Sequence, residues 1–203
     1  MTQVFSTAPR WVIASHNAGK IKEIEDLVQP YGIAVSGAEE AGVPEPEETE
    51  TSFAGNALLK ARAAAQASGA VSLADDSGLS VDALGGAPGV YSARWAGSPR
   101  DFGRAMARVH EELADAEDRT ARFVCVLALA APDGTAATYE GEVEGEIVWP
   151  PRGRGGFGYD PVFVPKGETR TFAEMSAQEK RGLSHRARAF DALVAAVFGP
   201  ARS

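Results

Sequence analysis

Cysteine is almost absent. Cys125 is the only one in 203 residues, so no disulfide can close within the chain. It lies in the apolar run FVCVLALA, which reads as a buried strand rather than the accessible, electropositive setting of a reactive thiol. Nothing in the sequence calls for a nucleophilic Cys or a Ser-His-Asp arrangement. Long apolar runs are missing too: none approaches the roughly 18 residues of a membrane span, and no basic-then-apolar leader opens the chain. A cytoplasmic protein without membrane attachment is expected. Positive charge is in deficit, with 20 Lys and Arg against 28 Asp and Glu and a formal net charge of -8, which argues against a general nucleic-acid binder. Small anionic ligands stay open, because a few local cations or a helix N-terminus can hold them inside an acidic protein. Repeats, low-complexity tracts and linkers are also absent, so residues 1–203 are read as a single domain with no internal boundary.

The composition that remains, 44% hydrophobic and 24% charged, is that of an ordinary globular protein. Its organising stretch is Leu73 to Gly97, LADDSGLSVDALGGAPGVYSARWAG. The approach AVSLA, Ala70 to Ala74, predicts a short buried strand that ends in Asp75 and Asp76. Ser77 and Gly78 follow, so the strand is expected to break there and display both acids at its carboxyl end, where open α/β sheets bind ligands. Two adjacent anions repel. A solvated turn tolerates them, as does a divalent cation or a proton-transfer role. On that view Asp76→Asn should raise thermal stability by relieving repulsion with Asp75. The same four residues are also compatible with a plain Asp-Asp-Ser-Gly turn.

Upstream, RWVIAS (Arg10 to Ser15) is strand-like, and KIKEIEDLV carries Ile21, Ile24, Leu27 and Val28 at helical spacing before Pro30 and Gly32 end the helix. Ser15, Asn17, Gly19 and Lys20 therefore occupy a strand-to-helix turn whose free N–H groups and lysine suit anion capture. GxxxxGK[ST] is absent, so this is no P-loop, and Asn17 as a simple N-cap explains the turn equally well. Ile33 to Ser36 predicts a second strand. The acidic run PEPEETETSF then leads into an Ala-rich helix, Ser52 to Ser68, capped by Thr51 or Ser52 and ended by Gly69. Part of that charge is explained by the helix dipole. Asn56 and Lys60 share one face of the helix, while Phe53, Ala57, Leu58 and Ala61 form the packed side.

Downstream, Arg100 to Ala114 predicts an amphipathic helix, with His110 as a surface residue lacking a partner. Arg122 to Ala130 reads as a buried strand, Asp133-Gly134 as a hairpin turn, and Thr135 to Trp149 as an antiparallel strand. RGRGGFGYDPVF offers Phe157 or Tyr159 as a base-stacking aromatic, or else a turn with core aromatics. Lys180, His185 and Arg186 precede or open a terminal helix that buries Phe190, Leu193, Val194 and Val197. Cations at a helix start oppose the dipole, which points to a ligand requirement.

Five blocks in order, SHNAGK, EETETSFAGNALLKA, LADDSGLSVDALGGAPGVYSARWAG, GGFGYDPVF and EKRGLSHRA, together resemble the inosine/xanthosine triphosphate pyrophosphatases, from about Trp11 to the last helix. The resemblance implies an α/β fold: a long mixed sheet flanked by helices, in two lobes with the active site in the cleft between them. It also implies a magnesium-dependent homodimer that converts deaminated purine nucleoside triphosphates to the monophosphate and pyrophosphate. Residue by residue, Ser15, His16, Asn17, Ala18, Gly19 and Lys20 resemble the phosphate turn. Asp76 resembles the general base and metal site, Glu48 the metal-binding glutamate five residues before Phe53, and Ser77 a substrate contact. Phe157, Gly158, Tyr159, Asp160, Lys180, His185 and Arg186 resemble the base and sugar pocket. His16 departs from the pattern, since the family commonly has glycine there. Glu48 and the Asp75/Asp76 pair are oxygen donors of the kind magnesium prefers, and Lys60 could reach the same site as Lys20, while the direct roles of Asp75, Asn56 and Lys60 stay open. Rival readings are a pyrophosphatase for other modified nucleotides, a nucleotide-binding module without turnover, and a structural protein whose motifs are only turns.

Overall fold

The computed structural model describes residues 3–15, 18–44 and 46–199, leaving aside the side chains of residues 18–20 and 23. In chain order the elements are α1 (Gln3–Ser6), β1 (Arg10–Ile13), α2 (Ala18–Val28), β2 (Ala34–Gly37), α3 (Phe53–Ser68), β3 (Val71–Val81), α4 (Ser92–Trp95), α5 (Phe102–Leu113), β4 (Thr120–Ala130), β5 (Ala136–Ile147), β6 (Phe163–Pro165), α6 (Ala177–Leu183) and α7 (His185–Phe198). The strands form one mixed sheet of order β2-β1-β3-β4-β5-β6. Among the described residues no helix is long and apolar enough to cross a membrane. The chain divides into two compact units, Met1–Asp76 with Val126–Glu140 and Ala189–Ser203, and Ser77–Cys125 with Gly141–Arg188.

In the first unit β1 pairs in parallel with both β2 and β3, Val12 lying opposite Ser36 on one side and Ser72 on the other. Trp11, Val12 and Ile13 are all buried, as expected of a parallel strand covered on both faces. A single 3₁₀ turn, Gln29–Tyr31 with Pro30 as its second residue, follows α2 directly, and Gly32 at φ 76° takes the left-handed conformation that stops it. Ser52 caps α3 by accepting the Gly55 N–H, and Gly69 closes the other end at φ 63°. Ala57, Ala61, Ala64 and Ala65 are buried along α3, whereas Phe53 and Leu58 are only half-buried, so the packed side is made of small residues. Ala64 packs with Val12, Ala38 and Val43. On α7, Phe190, Leu193 and Val197 are buried and Val194 half-buried, and Phe198 stacks on Tyr31 with ring centroids 3.9 Å apart.

The second unit surrounds a core that includes Leu79, Val81, Val109, Leu113, Val143, Phe163 and Phe172. Asp101 caps α5 by accepting the Arg104 N–H, and Met106, Val109 and Leu113 form its buried stripe. β5 and β6 are antiparallel, Ile147 opposite Phe163. A Cβ on Gly145 would stand 2.3 Å from the Val164 carbonyl, so only glycine lets β6 come so near.

Two expectations are corrected here. β3 does not break after the acids: it runs unbroken through Asp75, Asp76, Ser77 and Gly78 to Val81. Leu79 and Val81 are fully buried beyond the Gly, and the Leu79 N–H donates to Ser92 Oγ at 2.9 Å, so distant packing overrides the local turn composition. The carboxylates consequently sit mid-strand and, being consecutive, project to opposite faces of the sheet. His110 is not a lone surface residue either. Its ring stacks on Trp149 at 4.3 Å with an interplanar angle of 6°.

Candidate active site

The first unit gathers a cluster of charges on α3. Asn56 and Lys60 are four residues apart and so share a face. Lys60 Nζ donates to Glu48 Oε1 at 2.7 Å and lies 3.9 Å from Asp76 Oδ1. Asn56, with no exposed surface, donates from Nδ2 to Asp76 Oδ2 at 3.2 Å and accepts the Glu50 N–H at 3.0 Å. Glu48 and Asp76, both expected site residues, thus meet at the Lys60 ammonium. Ser77, next on the strand, is half-buried and projects away from the face that Asp76 occupies.

The strand-to-helix turn is in place, since β1 ends at Ile13 and α2 opens at Ala18. The Ser15 N–H donates to the Ile13 carbonyl, and the Ser15 carbonyl accepts from Ala38. His16, Asn17 and the side chains of Ala18, Gly19 and Lys20 lie outside the described residues, and so do both readings of Asn17.

In the second unit Asp160 organises the glycine-rich loop. Its buried Oδ2 accepts the Phe157 N–H at 2.7 Å and the Lys180 ammonium at 2.5 Å. Burial pushes the Asp160 carboxyl above its ordinary range, while Lys180 and the Phe157 N–H pull the other way. Gly156 stands at φ +71°, and a Cβ there would lie 2.0 Å from Asp160 Oδ2, so the loop closes on this carboxylate only because residue 156 is glycine. Gly158 likewise takes φ +66°. Lys180 Nζ lies 4.2 Å from the centre of the Phe157 ring, and that ring remains 63% exposed.

Of the two aromatics, Phe157 is therefore the one with a free face. Tyr159 is 2% exposed; its hydroxyl donates to the Ser92 carbonyl at 2.9 Å, and burial pushes its phenol far up. It is a core residue. His185 is also buried, its ring stacked on Phe123 at 5.1 Å, and half-buried Arg186 follows it in the first turn of α7. Lys180 belongs instead to the last turn of α6, where the helix dipole favours a cation, so the misfit expected of all three basic residues applies only to His185 and Arg186. The sequence reading passed over Gly156 and Ser92. Buried Ser92 donates to the Gly89 carbonyl while receiving the Leu79 N–H, and its only trace in the sequence is the glycine-rich connection around it.

The chain that carries this geometry has clear likenesses in sequence and in fold. It is 55% identical over 194 residues to the dITP/XTP pyrophosphatase of Gluconobacter oxydans, covering 96% of this chain and 93% of that protein. Against the dITP/XTP pyrophosphatase of Rhodospirillum centenum the identity is 57%, covering 95% and 99%. The structure of a HAM1 protein from Coxiella burnetii superposes with a TM-score of 0.90 at 41% identity, over 94% of this chain and 99% of that one. The Ham1 protein of Staphylococcus aureus gives 0.88 at 39%, over 94% and 98%. The sequence model of the Ham1 family matches residues 11–196, and the chain belongs to that family.

Proposed function

We propose that the cluster of Glu48, Asp76, Lys60 and Asn56 serves the hydrolysis of deaminated purine nucleoside triphosphates, ITP, dITP and XTP, to the monophosphate and pyrophosphate. The chain is a nucleoside triphosphate pyrophosphatase that clears such nucleotides from the pool. The observation that carries the reading is the convergence of Glu48 and Asp76 on Lys60, in a chain more than half identical to dITP/XTP pyrophosphatases.

The donor set suits magnesium. Among the described residues no three His, Cys, Asp or Glu side chains are grouped to enclose a metal ion. Magnesium commonly takes one or two carboxylates and completes its shell with waters and substrate phosphates. Glu48 and Asp76 would hold it, and when bound it supplies charge neutralisation on the phosphate oxygens. Asp76 is assigned as the general base that orients water toward the α-phosphorus and takes its proton, a contribution of roughly 10² to 10⁴ in rate. Lys60 adds a full positive charge beside the same carboxylates. No covalent intermediate is required. Following the family resemblance, residues 15–20 are assigned to phosphate binding and Ser77 to a substrate contact. Phe157, Gly158, Asp160, Lys180, His185 and Arg186 are assigned to the base and sugar, with Phe157 as the stacking ring, whereas Tyr159, buried and bonded to Ser92, supports the loop from the core. The active form is read as a homodimer in the cytoplasm.

A substrate panel tests the reading. Pyrophosphate release should be fast from ITP, dITP and XTP and slow from ATP and GTP, should vanish with chelator, and should return with magnesium. Full activity in chelator would sink the carboxylate site, and equal rates on all five would sink the assignment to deaminated purines.

A further inference from the structure

The buried face of α3 is alanine at residues 57, 61, 64 and 65, and the one other buried residue on the helix is Asn56. Alanine has the best helix propensity and needs no hydrogen-bond partner, whereas asparagine is a poorer helix former and must be satisfied when buried. A position that served only to pack the helix would suit alanine like its neighbours. Both polar ends of Asn56 are in use. Its carbonyl takes the Glu50 N–H at 3.0 Å, and its amide nitrogen donates to Asp76 Oδ2 at 3.2 Å. The side chain cannot flip, because the flipped form would set oxygen against carboxylate and NH₂ against N–H.

From this geometry we infer that Asn56 is a positioning residue: it fixes the rotation of the Asp76 carboxylate and ties to it the segment that carries Glu48. With Oδ2 occupied by Asn56, Oδ1 is the oxygen turned toward Lys60. Glu50 follows Glu48 by two residues, so the same carboxamide sets the spacing of both acids that converge on that lysine. The inference rests on the carboxylate-site reading, and it assigns Asn56 no contact with substrate. Displacement of a catalytic group by about 1 Å can cost on the order of a hundredfold in rate, so loss of the tether should register in turnover more than in binding.

The test compares Asn56→Ala and Asn56→Asp with Asp76→Asn and the unaltered protein, on ITP with magnesium. Rates are taken per folded molecule well below each variant's Tm, with circular dichroism reporting the folded fraction. Asn56→Ala removes both hydrogen bonds. Asn56→Asp keeps the acceptor for Glu50 and removes the donor to Asp76. Both should lose about ten- to a hundredfold in kcat with KM within about threefold; if one variant does not fold, the other is read the same way. The inference is overturned if Asn56→Ala keeps at least half of kcat, if the loss is confined to KM, or if Asn56→Asp keeps kcat, which would leave only a loop tie to Glu50. The two readings fail separately. Normal turnover by Asp76→Asn removes the carboxylate site itself, whereas a dead Asp76→Asn beside active Asn56 variants removes only the role given to Asn56.

Discussion

Asp76 is held by a neutral donor on one oxygen and faces an ammonium across 3.9 Å on the other, an environment that keeps a carboxylate in one orientation inside a largely buried site. Replacing it with asparagine preserves the shape and removes the proposed base and one proposed metal ligand, so kcat should fall at least about a hundredfold with folding intact. Steady-state kinetics check the first part. The expected gain in thermal stability does not survive the structure. Asp75 and Asp76 project to opposite faces of β3, so there is little repulsion to relieve, and Asp76→Asn loses its attraction to Lys60; Tm should not rise. Arg186 carries a specificity prediction. Hypoxanthine and xanthine present an oxygen at C6 where adenine presents an amino donor, so a pocket of donors rejects adenine by leaving donor against donor. Guanine shares the C6 oxygen, and its exclusion needs a further donor near C2 opposing the 2-amino group. With Arg186 proposed to contribute to this readout, directly or through the backbone it anchors, Arg186→Ala should lower kcat/KM for ITP and XTP much more than for GTP. An equal fall on all three would place Arg186 with the phosphates or the fold.

Among the elements, α6 is the short one that presents Lys180, and it depends on a reciprocal cap. Ser176 accepts the Glu179 N–H while the Glu179 carboxylate accepts the Ser176 N–H, and Arg170 adds a further donor at 3.1 Å. The hydrogen bonds from Ser176, followed by Arg170, bring the Glu179 carboxyl from its ordinary 4.5 down to about 2. A carboxylate depressed by folding stabilises the folded form above its unfolded pKa, and that contribution is lost as pH falls through the folded value. Wild type should accordingly lose stability relative to Glu179→Gln as pH falls from about 4.5 to about 2, the two curves of Tm against pH converging at the acid end. Parallel curves across that interval would show that the cap is not coupled to folding. β6 shows a different dependence, on Gly145 of β5, where the two strands approach too closely for any side chain.

At the scale of the whole molecule, what was legible in the sequence is what short-range chemistry controls. Apolar runs gave β1 and β4, Ser52 and Gly69 marked both ends of α3, Pro30 and Gly32 stopped α2, and Asp133-Gly134 marked the turn between β4 and β5. Each of these is set by residues within a few positions of one another: a cap, a left-handed glycine, a proline, or a continuous apolar run. The blocks shared with a known family lay in the sequence too, and with them the type of reaction. Tertiary structure alone decided that β3 continues past Gly78, because Leu79 depends on Ser92, 13 residues away. It alone joined Asn56 to Asp76 and Lys180 to Asp160, each 20 residues apart, and turned Tyr159 from a candidate ligand into a core residue anchored on Ser92. The physical reason is range. A helix or turn leaves a periodic or compositional mark within about a dozen residues, whereas a hydrogen bond or ion pair between distant segments depends on the folded path that brings the two ends together and leaves no such mark in the chain.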